Sequence, residues 1–216
     1  MKFATALASG VIALSLLTGC GGGGGGTTPA PTAQELTAQG WEFFVAAQYD
    51  SAETHFLAAT AVDGTFADGW NGLGWARLFN ADTDLANAAS AFETANDRNF
   101  AGADAWAGLA AVQRERDLPA AITAADSALE RSPAFVFAHN SAIDSRDLHL
   151  VRGQAALLLY RLADAQVEAD TLSAGNGLDP GSPASWVVGG VTCPSYFDAL
   201  SKLFQDAAAV IGGDLP

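Results

Sequence analysis

Six residues, Trp70-Asn71-Gly72-Leu73-Gly74-Trp75, return 36 positions later as Trp106-Ala107-Gly108-Leu109-Ala110-Ala111. Half of the phrase also occurs upstream, where Gly40-Trp41 stands 34 residues before Gly74-Trp75. A second set keeps the interval: Ala52, Phe56 and Ala59 are followed 36 positions on by Ala88, Phe92 and Ala95. Self-similarity at this period is the mark of stacked helical hairpins, units that cannot bury an apolar face alone and so bury it against their neighbours.

Composition agrees with helices. Half the chain is apolar (50%), much of that alanine, the best helix former. β-branched residues are sparse, which disfavours an all-β fold. The 24 acidic and 10 basic residues leave a formal charge of −14. Such a surface repels phosphate backbones, which argues against nucleic acid as a partner, and it serves solubility.

Residues 1–19 read as an export signal: Lys2 is a minimal positive region, and Phe3 to Leu17 is apolar but too short to span a bilayer. It ends in Leu17-Thr18-Gly19-Cys20, which resembles the bacterial lipobox. By that resemblance Cys20 is lipidated, becomes the first mature residue and holds the protein to a membrane by its acyl chains; each buried CH₂ contributes about 0.8 kcal/mol. Six glycines (Gly21–Gly26) and Thr27-Thr28-Pro29-Ala30-Pro31 follow. Glycine has the most backbone entropy to lose, so 20–31 is a tether, with a reach of roughly 20 Å. Gly21 stands where aspartate favours inner-membrane retention in enterobacterial lipoproteins, so the segment resembles that of an outer-membrane lipoprotein. Cys193 is then an odd thiol, either buried or reactive; free cysteine packs like a small hydrophobe, so burial is expected.

The repeats should occupy 32–174. Thr32-Ala33-Gln34-Glu35 is a capping box that opens a helix running to about Gln48. The next helix opens at Asp50 and closes at Asp63-Gly64. Trp70, Leu73 and Gly74, then Ala88, Phe92 and Ala95, make the second hairpin; Trp106, Leu109 and Ala110, then Ala121, Ala125 and Ala128, make the third. Asp117-Leu118-Pro119 starts that hairpin's second helix, and Pro133 closes it. Here the chain resembles the tetratricopeptide repeat, or TPR, with departures at Arg77, where tyrosine is usual, and at Ala125, where an aromatic is usual. Gly74 and the paired alanines let backbones approach, while Trp70 and Phe92 fill the gap between hairpins. A weaker fourth unit carries Gly153, Ala165 and Ala169, with helices expected near Asp147–Tyr160 and Arg161–Ala174 after an insertion at 134–147. The 175–216 segment adds a Gly/Ser/Pro-rich loop, a stretch at Trp186–Thr192 that reads equally as a Gly-Gly hairpin or a loop, and a closing helix from Ser195 to about Ile211. The expected fold is all-α: a TPR-like right-handed solenoid of about four hairpins plus that helix.

In TPR stacks the first helices line a concave groove. The resemblance implies that Trp41, Phe44, Asn71, Trp75, Leu78, Phe79, Arg114, Gln154 and Leu157 face this groove, with Trp41, Phe44, Asn71, Trp75, Phe79 and Arg114 as the contacts to a partner peptide or helix. The competing reading is that the chain's own 134–147 insertion fills the groove. Asn80-Ala81-Asp82-Thr83-Asp84 has the oxygen alternation of a calcium loop, but Leu85 stands where glycine is needed and Ala91 where a bidentate glutamate is needed. A helix cap by Asp82 or Asp84 is expected instead. His55, His139 and His149 show no metal-ligand spacing. No nucleophile elbow, phosphate loop or dinucleotide fingerprint occurs, so no catalytic residue, metal or cofactor is assigned. The expectation is a non-enzymatic, membrane-anchored scaffold for another envelope protein. The alternative is an accessory lipoprotein that captures solute or glycan for an outer-membrane transporter, with Trp186 as its one candidate aromatic.

Overall fold

The computed structural model describes residues 29–80 and 84–211. The export signal, Cys20 and most of the tether lie outside the described residues, as does Asp82. The described residues from Pro31 onward make one compact unit. Its helices are α1 (Ala33–Val45), α2 (Tyr49–Val62), α3 (Ala67–Phe79), α4 (Leu85–Asp97), α5 (Asp104–Arg114), α6 (Leu118–Arg131), α7 (Ser145–Leu158), α8 (Leu162–Leu172) and α9 (Tyr196–Ile211). Consecutive helices pair, α1 with α2 through α7 with α8, and each second helix packs on the next first helix. The first helices also touch in series, α1 to α3 to α5 to α7, and form an inner layer. The closing helix α9 packs on α7 and α8.

Local chemistry sets the helix ends. Thr32 and Glu35 form the capping box of α1, and Asp144 and Asp147 form another at α7. Asp84 caps α4 by accepting from Ala86 and Asn87 N–H, and Asp117 caps α6 by accepting from Ala120 N–H. α1 stops at Val45, short of Gln48, because Ala47 turns left-handed (φ 55°). Gln48 N–H then donates to Phe43 O and Ala47 N–H to Phe44 O, a Schellman closure. α2 therefore starts at Tyr49, one residue before Asp50, with no side-chain cap. Tyr160 (φ 57°) makes the same closure between α7 and α8.

The hairpins interlock through phenylalanine and glycine. Phe56 of α2 lies between Gly40 of α1 and Gly72 of α3, where an added Cβ would stand 2.6 and 2.2 Å from its ring. Phe92 of α4 lies between Gly74 and Gly108 in the same way, at 2.6 and 2.2 Å. Both rings are fully buried. Trp70 is a half-buried neighbour, its indole N–H donating to Gly64 O at 3.0 Å. Arg77 bridges neighbouring helices, pairing with Glu53 of α2 at 2.9 Å and donating to Asn87 O of α4 at 3.2 Å. α8 carries no aromatic for Gly153 of α7; α9 supplies Phe204, 2.4 Å from the position of a Cβ there.

The insertion is shorter than 134–147, since Ser145 already begins α7. Residues 135–145 fold back on themselves: Val136 bridges Asp144, Phe137 N–H donates to Ile143 O, and Ser145 N–H donates to Phe135 O. The Gly-Gly stretch is a hairpin, β1 (Val187–Val188) antiparallel to β2 (Val191–Thr192), with Gly189 and Gly190 at positive φ as its turn requires.

Gly72→Ala should destabilise the chain by about 1–3 kcal/mol in urea unfolding, because the overpacking at Phe56 exceeds alanine's helix advantage of about 1 kcal/mol. Ala47→Gly should do the reverse, gaining about 1 kcal/mol by relieving the left-handed residue.

Candidate functional site: the inner face of the stack

The inner layer presents Trp41 and Phe44 from α1, Asn71, Trp75 and Phe79 from α3, and Arg114 from α5. The structure brings the first five together and sets Arg114 apart. Phe137 of the insertion stacks on Trp75 (ring centroids 4.2 Å apart) and meets Trp41 and Phe44 at 6.0 and 5.9 Å. His139 stacks flat on Trp41 at 3.8 Å. Phe79 closes against Phe44 and Trp75 at 5.4 and 6.1 Å. Phe137 and Trp75 are both 0% exposed. This half of the groove is thus occupied by the chain's own segment, the competing arrangement anticipated from the sequence.

The other half is open. Arg114 and Glu115 at the end of α5, Gln154, Leu157 and Leu158 of α7, and Ser201, Phe204 and Gln205 of α9 line a cleft of ≈ 300 Å³. Arg114 pairs with Glu115 at 3.2 Å. Leu158 is 58% exposed at its edge.

Beside the filled half lies a polar cluster that sequence reasoning missed. Asp68, in the first turn of α3, accepts from the Trp41 indole N–H at 3.2 Å and from the Asn71 amide at 3.4 Å. Asp104 holds the equivalent position on α5. Its half-buried carboxyl is pushed up to about 6, first by burial and then by the Asp68 charge. His139 is held below the ordinary histidine range by burial, with the Asp68 charge opposing. The signal was available: Asp68 and Asp104 each precede a repeat tryptophan by two residues, 36 apart.

Elsewhere, His149 contacts buried Glu168 at 2.7 Å, and Arg152 reaches Glu168 and Asp126 at 3.2 and 3.0 Å, tying α6, α7 and α8. His55 lies against Ser51 O at 2.8 Å on its own helix. Cys193 is buried. Trp186 is half-buried against Tyr196, with its indole N–H on Asp179 O at 2.8 Å. Among the described residues no group of three or more His, Cys, Asp or Glu could hold a metal ion, and no helix is long and apolar enough to cross a membrane.

No family model and no curated protein matches the sequence. Solved structures do match the fold. YrrB, described as a TPR protein with an unusual peptide-binding site, superposes with a TM-score of 0.56 at 18% identity, covering 84% of this chain and 87% of that one. TTC0263, a thermophilic TPR protein of Thermus thermophilus, gives 0.51 at 16% identity, covering 85% and 90%. The fold is an all-α, TPR-like solenoid.

Phe137→Ala should cost about 3–5 kcal/mol in unfolding experiments, as buried Phe truncations do, and should shift tryptophan emission to longer wavelength as Trp75 is uncovered. A pH dependence should follow from Asp104. Its carboxyl stays protonated to about pH 6 when folded, and to about pH 4 when unfolded. The folded state binds more protons in between, so stability falls as pH rises through that window. Asp104→Asn should remove the fall: equal to wild type near pH 3, and more stable by about 1–2 kcal/mol near pH 7 after allowance for partial exposure. His139 has the opposite slope, since acid must charge a buried neutral ring, and it cancels when the two proteins are compared.

Proposed function

We propose that the chain is a non-enzymatic envelope lipoprotein, anchored through acylated Cys20, in the outer membrane by the Gly21 criterion, that holds a peptide segment of another envelope protein in the open cleft between α5, α7 and α9. The observation that carries this reading is the division of the inner face. One half receives a turn of the chain's own insertion, Phe137 to Asn140, which lays Phe137 and His139 over aromatic rings. The other half continues the same layer with apolar Leu157, Leu158 and Phe204 rimmed by Arg114, Gln154 and Gln205, and nothing in the described chain fills it. The likeness to YrrB, itself described with a peptide-binding site, supports a peptide as the occupant. Of the groove-facing residues expected from the sequence, Arg114, Gln154 and Leu157 line this cleft; the aromatics Trp41, Phe44, Trp75 and Phe79 would act indirectly, by holding the insertion that shapes its neighbour.

Two measurements test the two halves of the proposal. Cys20→Ser should abolish incorporation of labelled palmitate and move the protein from the membrane to the soluble fraction. A photo-crosslinking residue at Gln205 should capture a partner in intact envelopes, and one at Val167, exposed on the far side of α8, should not. Leu158→Asp should remove the capture with the melting temperature unchanged. Equal capture from both positions, or capture indifferent to Leu158→Asp, would count against the cleft.

A further inference from the structure

The fourth hairpin repeats the first in register. At an offset of 113 positions Gly40 answers to Gly153, Trp41 to Gln154, Phe44 to Leu157 and left-handed Ala47 to left-handed Tyr160. α1 and α7 also end on equivalent residues, Val45 and Leu158. In the first hairpin the two inner positions carry a piece of chain: Phe137 lies against Trp41 and Phe44, and His139 stacks on Trp41. In the fourth the same two positions, Gln154 and Leu157, line the open cleft. An amide in place of an indole changes what the position can hold. A ring offers a face, whereas a primary amide offers two N–H donors and a carbonyl acceptor. Gln154 commits none of them to any described residue. Gln205, which lines the cleft from α9, makes only a long bond to Ser201, at 3.5 Å. The charges of the lining cancel, since Arg114 pairs with Glu115 at 3.2 Å. Tyr160 is a separate observation beside the same cleft. It keeps a left-handed backbone (φ 57°), which a side chain with a Cβ disfavours, yet its ring is 77% exposed. That ring stacks on Phe197 of α9, one turn before Ser201. Backbone strain held in place for an exposed ring is a mark of binding surfaces.

We infer that the cleft grips its occupant by the main chain: an uncharged, extended peptide segment whose backbone N–H and C=O groups pair with the Gln154 amide, with Gln205 as a second such amide, while one large apolar side chain lies on Leu157, Leu158 and Phe204. The inference rests on the peptide reading of this cleft and narrows it. An extended segment presents free N–H and C=O groups along its edges, which match an amide donor for acceptor. A helix satisfies those groups within itself and leaves Gln154 unanswered. A sugar could use the amides and the Tyr160 ring, but its hydroxyls lose water against the aliphatic lining without gaining a partner. A charged segment finds a rim whose charges already cancel. The equivalence with the first hairpin supports the same choice, because there these register positions already seat a stretch of chain that is not helical.

The probes are the neutral peptide acetyl-Thr-Ser-Leu-Ser-Thr-amide, its analogue N-methylated at the three central residues, and the sugar chitopentaose. Each is titrated into the nitrogen-15-labelled full chain and followed by the side-chain amide signals of Gln154 and Gln205 in NMR. The parent peptide should bind saturably and move both signals. N-methylation, which removes backbone donors and keeps every side chain, should weaken it about tenfold. Gln154→Leu, which keeps the size and loses the amide, should weaken the parent about tenfold and bind the two peptides within about threefold of each other. Thermal melts check that each variant is folded. If Gln154→Leu binds the parent as tightly as the natural chain while Leu158→Asp does not bind it, side chains alone hold the peptide: this inference falls and the peptide reading stands. If neither substitution changes binding, the cleft is not the site and both fall. Movement of the amide signals by chitopentaose and not by the peptide, or by none of the probes, would overturn the main-chain grip.

Discussion

A phenylalanine ring pressed between two helix backbones holds this stack together, and it can be there because neither backbone carries a Cβ at the contact. Phe56 and Phe92 each belong to the second helix of one hairpin, yet each lies against a glycine of its own first helix and a glycine of the next one. Burying such a ring contributes about 1.5–3 kcal/mol, and that gain is complete only when the following hairpin is in place. Cohesion is therefore a property of neighbours rather than of units, as expected for a solenoid. The same logic explains α9. The fourth hairpin has a glycine, Gly153, but no ring in α8 to set against it, and the closing helix brings Phe204 to the vacancy.

Much of this was legible in the letters, because a repeat writes its own contacts at a fixed interval. The glycines and phenylalanines that interlock are the residues that recur, and Asp84, Asp117 and Thr32 cap where their side chains say they should, while the Gly-Gly stretch read equally as a hairpin or a loop and is a hairpin. The helix ends that shifted did so for a reason no local pattern shows: Ala47 and Tyr160 take left-handed turns that glycine or asparagine would have advertised. The site was less legible. Nothing near Phe137 says which ring it will stack on, since Trp75 is 62 positions away in the chain. Asp68 and Asp104 did recur at the repeat interval, but beside tryptophans whose recurrence has a structural explanation of its own, and their meaning depends on burial that sequence does not state.

Covering the inner aromatics with the insertion has a polar consequence. The Trp41 indole finds Asp68, but the Trp75 indole N–H is buried without a partner beneath Phe137. An unpaired N–H costs about 1–3 kcal/mol. Stacking and burial of Phe137, Phe135 and Ile143, all at or near zero exposure, exceed that cost by a margin that lets the arrangement stand. Thr37, Asn71 and Trp75 of the inner layer share this deficit, and outside that layer Asn96 of α4 does too.

The insertion also changes how the stack behaves as a whole. In an open solenoid the terminal hairpin is bound on one side only and is the first to fray. Here a segment that leaves α6 and enters α7 reaches back to α1 and α3 through Trp41, Phe44 and Trp75. The first hairpin is thus held by its neighbour and by the junction of the third and fourth. To release α1 the chain must either lose the ring contacts on Trp41 or withdraw the 135–145 turn, and withdrawal uncovers Trp75 as well. A linear array of near-independent terms becomes a loop of coupled ones. The residue that most tightly couples the two ends, Phe137, comes from outside the repeats altogether.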